Sequence, residues 1–274
     1  MRVDEAITPP PPALGLDPFY AKYLSAGGIP VVASAKVPDR ALRITGEIID
    51  AMLEHRPDLR AALVAMHLRV GVMAPDETTT DLPEQRDWKK PPRDAPQLTF
   101  CERKHYDERI GRLTDRQYWD ARARGMAGLY TTAATENLLG DRSSRYYGEN
   151  IFVHEFAHDV LMAIRQADPA LSADVDRAYA EAVRAGRWKG EYAGLNVDEY
   201  WAEGSQTWFN SNYLAVMDGV EVLSDDDLRR YDAGLYAALA RAYGTNHHIA
   251  ADAFYQHPAR VPPGPIPKNT AEVC

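Results

Sequence analysis

Residues 150–166 read Asn-Ile-Phe-Val-His154-Glu155-Phe156-Ala157-His158-Asp-Val-Leu-Met-Ala-Ile-Arg-Gln. The spacing predicts a helix over about 149–166. Ile151, Phe152, Val153, Phe156, Ala157, Val160, Leu161 and Ile164 make that helix apolar nearly all round, the mark of a buried element. His154 and His158 are four residues apart and share a helix face, so their imidazoles can converge on one ion. Glu155 is rotated by about 100° from His154. That puts it beside the ion, where a general base removes a proton from metal-bound water. Two histidines and two acids, Glu155 and Asp159, are costly in an apolar helix unless something neutralises them, and a divalent cation does so. The competing reading, a surface helix that spells this pattern by chance, fits the apolar surroundings poorly.

Catalytic zinc sites use three protein ligands plus water, whereas structural ones are closed by four. The metzincin pattern needs Gly and His three and six residues after the second His. Those positions are Leu161 and Ile164, which excludes it. The third ligand is then expected to be a downstream carboxylate: Glu181, Glu191, Glu199 or Glu203. Glu181 lies in a solvent-facing pattern. Glu199 and Glu203 are four apart on one face of Asp198-Glu-Tyr-Trp-Ala-Glu-Gly, among aromatic residues. Such a pair suits one ligand and one acid orienting a ligand imidazole. Asn196 is placed to cap this helix with Glu199 at its N3 position, so a capping box is the alternative for Glu199.

Tyr192-Ala-Gly-Leu-Asn196-Val-Asp-Glu199-Tyr-Trp-Ala-Glu203, about forty residues after His-Glu-Phe-Ala-His, resembles the catalytic domain of anthrax lethal factor and its relatives. The Mlc titration factor A proteins are similar there too. The resemblance covers about 150–210. It implies a zincin-like, gluzincin-type metallopeptidase with one zinc ion per chain held by His154, His158 and Glu199. By the same resemblance Glu155 is the general base, Tyr192 hydrogen-bonds the developing oxyanion, and Glu203 holds His154, with Asn196 beside them. A phenol near the metal also has a chemical rationale, since an amide hydrolase needs a donor for its tetrahedral oxyanion. The chain is far shorter than the multidomain toxin, and no substrate specificity carries over.

The 274-residue sequence as a whole is ordinary for a globular protein, with 45% hydrophobic and 26% charged residues. A formal net charge of −9 argues against a nucleic-acid partner, and no apolar run is long enough to span a membrane. The implied partner is a peptide or protein substrate. Cys101 and Cys274 form no zinc motif, though one bridge between them is possible. Residues 1–16 read as a flexible proline-rich segment, 17–256 as one domain, and 257–274 as an extended proline-rich tail. Pro9 to Pro12 suggest a stiff spacer of the kind found after a removed leader. That points to a secreted or periplasmic protein, with a cytoplasmic one as the alternative.

An α+β fold is expected, mostly helical with a small sheet in the N-terminal third. Residues 18–24 are expected as a short helix, 29–34 and 68–73 as strands, and 37–55 and 57–66 as helices. Between Ala74 and Gln97 lies a polar, proline-rich loop, a candidate lid carrying Asp81, Glu84 and Arg86. A short helix over 118–125 and then irregular chain are expected in 115–147, with Arg145, Tyr146 and Tyr147 as a possible cleft rim. Further helices are expected over 170–186, 197–215 and 225–243, with His247 and His248 either capping a helix end, the commoner role, or reaching a metal or substrate. Two rival functions fit the same residues: hydrolysis of a non-peptide or modified-peptide amide, and a binding or regulatory module on a zincin fold.

Overall fold

The computed structural model describes residues 6–96 and 98–264. Strands β1 (Lys22–Ala26) and β2 (Ile29–Ala33) form an antiparallel hairpin closed by Gly27 and Gly28. Both glycines have positive φ, 57° and 95°, which a two-residue hairpin turn demands. This overturns the helix expected over 18–24. The apolar spacing of that stretch fits either period, and the Gly-Gly turn with pairing to β2 selects the strand.

The chain crosses over through helices α1 (Asp39–Met52) and α2 (Pro57–Ala65) to β3 (Arg69–Met73), which runs parallel to β2. Leu42, Ile48, Ile49 and Met52 of α1 are fully or almost fully buried in the main core. A long excursion then carries α3 (Phe100–Lys104) and α4 (Asp115–Arg122), which close over a second apolar cluster of Ala95, Leu98, Ile110 and Tyr118. It returns as β4 (Tyr130–Ala134), parallel to β3, giving the order β1-β2-β3-β4. The irregular chain expected after residue 125 is corrected here, and β4 carries the sheet beyond the first third of the sequence.

The loop after β3 is tied down by its own charges. Glu84 pairs with Arg69 and accepts from the Tyr20 hydroxyl, Asp81 pairs with Arg116 at 2.6 Å, and Arg86 pairs with Asp17 at 3.2 Å. The Tyr20 and Tyr130 hydroxyls meet at 2.6 Å. Gly71 leaves room for this cluster, because a Cβ there would lie 2.0 Å from the Tyr130 oxygen. The three charged residues of the candidate lid are thus ties to the frame.

Helices fill the rest: α5 (Thr135–Leu138), α6 (Ile151–Ala167), α7 (Pro169–Arg184), α8 (Val197–Trp208), α9 (Asp225–Tyr231) and α10 (Ala233–Tyr243). A small hairpin of β5 (Ala215–Met217) and β6 (Val220–Val222) separates α8 from α9. The helix expected to reach 215 therefore stops at Trp208, where Asn210 turns the chain at φ 56°. The helix expected over 225–243 is two. Asp232 breaks it: its Oδ1 caps α10 through the Leu235 N–H, and its Oδ2 accepts from Trp188 Nε1 (2.9 Å) and Tyr200 (2.8 Å).

The α+β expectation holds. Chain outside the expected limits of 17–256 also joins the fold: Thr8 exchanges backbone hydrogen bonds with Tyr23, and Arg260 is buried with its guanidinium on the Asn212 carbonyl. The tail beyond residue 264 and Cys274 lie outside the described residues. Among those described, no helix is long and apolar enough to cross a membrane.

The approach of α8 to α10 depends on Gly204, where a Cβ would lie 2.6 Å from a Leu235 methyl. Gly204→Ala is expected to cost about 1–3 kcal/mol by overpacking, read as a lowered urea midpoint with an unchanged slope.

Candidate metal centre

Helix α6 begins where Asn150 accepts the Val153 N–H, and it passes beneath the sheet as one of the most buried elements. Helix α8 packs along it. Its start is set by Asn196, whose Oδ1 accepts the Glu199 N–H at 2.9 Å. Asn196 is therefore a backbone cap at the edge of the site. The Glu199 side chain turns instead towards α6. Between the helices, Trp201 is fully buried and its Nε1 donates to the Ala157 carbonyl at 3.0 Å. That bond locks Glu199 at the level of His154 and His158.

These three residues form the one His/Cys/Asp/Glu cluster with metal-ligand geometry among the described residues. His154 Nε2 lies 3.1 Å from Glu199 Oε2 and 3.2 Å from His158 Nε2, and His158 Nε2 lies 3.5 Å from the same Glu199 oxygen. Donors about 2.0–2.1 Å from a tetrahedral zinc stand about 3.3–3.4 Å apart. The triangle matches that spacing. One proton can serve only one edge of it, whereas a cation at its centre satisfies all three donors. The residues fit a divalent metal.

The electrostatics agree with the geometry. Burial works against the Glu199 carboxylate, but hydrogen bonds from His154 and His158 outweigh it and hold the group well below the usual carboxylate range. Burial also disfavours charge on His154, yet Glu199 and Glu203 draw its pKa upward. Two carboxylates thus attract positive charge to this point.

His154 Nδ1 is 2.9 Å from Gln206 Oε1, and Gln206 Nε2 donates to the Asn150 carbonyl at 3.0 Å. The amide is therefore oriented to accept the Nδ1 proton, leaving Nε2 for the metal. Glu203 Oε1 lies farther from the same nitrogen, at 3.4 Å, and its other oxygen accepts from Asn212 at 2.7 Å. The closer holder of His154 is Gln206, with Glu203 behind it. Gln206 escaped the sequence reading, although it follows Glu203 by three residues on the same face. Glu149 also escaped it. Burial and then repulsion from Glu203 push its carboxyl up to about 8.

Glu155 is near the triangle without belonging to it, and burial raises its carboxyl above the usual range. The Tyr192 ring lies 6.1 Å from that of His154, centre to centre. Burial and then the charges of Glu199 and Glu155 raise its hydroxyl, keeping the phenol a donor. The structure thus brings together His154, His158, Glu199, Glu155, Tyr192 and Glu203. Glu181 and Glu191 are not in the metal cluster, nor are His247 and His248. His247 approaches the Trp208 carbonyl at 3.3 Å and lies tilted against that indole, 4.0 Å between ring centres, at the end of α8.

No family model matches the sequence, and no curated protein matches it. Among solved structures, a Pro-Pro endopeptidase from Paenibacillus alvei shares 13% identity over 77% of this chain and 96% of its own, with a TM-score of 0.49. A likeness that loose decides neither ancestry nor activity. The site's own geometry carries the reading.

Asp159 has a different task from the one its place in the helix suggests. Thr131 Oγ1 lies 2.8 Å from the Gly128 carbonyl and 2.5 Å from Asp159 Oδ2, while the Gly128 N–H donates to Asp159 Oδ1. A hydroxyl has one proton to give. With Thr131 donating to Gly128, a protonated Asp159 completes a closed ring, in keeping with a carboxyl that burial holds well above its usual range. No cation is needed there. Asp159→Asn is expected to keep stability within about 1 kcal/mol, since an amide makes the same bonds, and Asp159→Ala to cost about 1–3 kcal/mol. Equal losses in urea unfolding of the two variants would contradict the ring.

Proposed function

We propose that the chain is a gluzincin-type zinc metallopeptidase, and that its likeness around Glu199 to the lethal factor catalytic domain reflects a shared mechanism. The observation that carries the reading is the donor triangle of His154, His158 and Glu199, spaced for one tetrahedral ion. Zinc held there would polarise a substrate carbonyl and lower the pKa of a water. Glu155 takes the proton of the attacking water and returns it to the leaving amine. Tyr192 donates to the oxyanion that develops on the carbonyl. Gln206 and Glu203 hold the His154 ring in the tautomer that ligation needs.

The test is a mixture of unstructured peptides with the cleavage products identified by mass spectrometry. Scattered cleavage is expected, abolished by a chelator and restored by zinc. Intact peptides beside a zinc-loaded protein would remove the peptidase reading and favour a different amide.

A further inference from the structure

The chain between α4 and β4 crosses the metal helix in a way the reaction scheme does not use. Met126 adds an antiparallel bridge to the outer edge of β4, with the Thr132 N–H donating to the Met126 carbonyl at 2.8 Å. Two residues on, the Gly128 N–H reaches Asp159 Oδ1 at 3.3 Å. Between them, the Ala127 N–H faces the Glu155 carboxylate and weakly favours its charged form. At its near end the segment is fastened by Arg124, whose guanidinium grips Glu136 at 2.8 and 3.0 Å and the Ala74 carbonyl at 3.1 Å, and also bonds the Glu77 carbonyl. Residues 124–128 are therefore a strap bonded to α6 at Asp159 and lying against Glu155 four residues earlier.

Gly125 makes the crossing possible. A Cβ there would lie 2.7 Å from Ile151 Cγ2, 3.2 Å from Glu155 Cγ and 3.3 Å from the Thr132 carbonyl. The first distance is shorter than real Cβ contacts allow, and the other two leave little room. A side chain must displace Ile151, the strap or the Glu155 stem. The backbone thus lies against the flank of Glu155, with its next amide but one facing the carboxylate.

We infer that the Arg124–Gly128 strap is a positioning device for Glu155, with Gly125 the residue that lets the backbone come close enough to aim the carboxylate. The inference rests on the reading of Glu155 as the general base. A carboxylate on a flexible stem has several rotamers, and a fastened segment packed against that stem restricts which of them it adopts. Proton transfer is sensitive to displacement of the base by about 1 Å. Among the described residues no hydrogen bond or ion pair joins the strap to His154, His158 or Glu199, so its effect is expected on the proton transfer and not on metal retention.

Two measurements test this. The first is amide hydrogen exchange of the metal-free protein, followed residue by residue. In Glu155→Ala the Ala127 amide is expected to exchange at least tenfold faster than in wild type, with the Thr132 amide unchanged. An unaltered Ala127 rate would overturn the inference whatever the enzyme cleaves. If the Ala127 rate rises but wild type cleaves no peptide, the strap contact stands and the hydrolytic reading falls. The second is steady-state kinetics of Gly125→Ala beside Arg124→Lys, a milder loosening of the same strap. Expected are a kcat ten- to a hundredfold lower in Gly125→Ala, a smaller drop in Arg124→Lys, and KM and metal content near wild type in both. Full kcat in Gly125→Ala, or a loss explained by lost metal, would overturn it.

Discussion

Glu155→Gln is expected to retain one metal ion per chain and to lose hydrolysis by about 10²–10⁴-fold, the usual worth of a general base. The substitution keeps size and shape, so the packing of α6 is preserved. Glu155 is not one of the three donors spaced for the ion, and its removal leaves the triangle of His154, His158 and Glu199 intact. An amide accepts no proton from water at neutral pH and has none to pass to a leaving amine. The loss should therefore appear in kcat, with KM little changed. Kinetics and metal analysis on the same preparation read both quantities. A variant that sheds its metal would place Glu155 among the ligands. One that keeps full activity would remove it from the reaction.

Trp201→Ala carries the largest expected cost in stability, about 3–5 kcal/mol for a fully buried tryptophan. Its indole fills the seam between α6 and α8, packs against Tyr243 at 5.8 Å, and donates to the Ala157 carbonyl. Ala157 lies between His154 and His158, and Trp201 lies two residues after Glu199. The indole therefore sets the relative height of the two halves of the metal site. Truncation should weaken metal binding as well as lower the unfolding free energy. Trp201→Phe keeps most of the volume and loses the hydrogen bond, and a milder loss of about 1–2 kcal/mol is expected. Urea unfolding with and without zinc separates the effects. Equal zinc stabilisation in wild type and Trp201→Ala would show that the indole supports the fold but not the site.

The metal helix was legible because the constraint on it is local. The two proposed ligands and the proposed base lie within about one turn, and the apolar residues around His154 say that the turn is buried. Glu199 and Glu203 were legible for a similar reason, as a carboxylate pair at helical spacing among aromatic residues. What escaped was decided at longer range. Residues 22–26 become a strand because the Gly27-Gly28 turn delivers them to β2, and their own periodicity does not say so. β4 is almost wholly buried along its length, so Thr131, Thr132, Ala133 and Ala134 carry no alternation to mark a strand. Asp232 splits the expected helix over 225–243 because a tryptophan and a tyrosine from elsewhere need its carboxylate. Glu149 takes on meaning only once Glu203 is seen beside it. Gln206 could have been found, since 199, 203 and 206 share a helix face, but an amide suggests no chemistry until a histidine is opposite.

Metal content of the purified protein, measured by mass spectrometry for wild type, His158→Ala and Glu199→Ala after dialysis against buffered zinc, tests the central claim most directly. About one zinc per chain is expected in wild type, with the metal lost or greatly weakened in both variants. Full occupancy in Glu199→Ala would contradict the assignment of the third ligand, and full occupancy in both would contradict the metal centre itself.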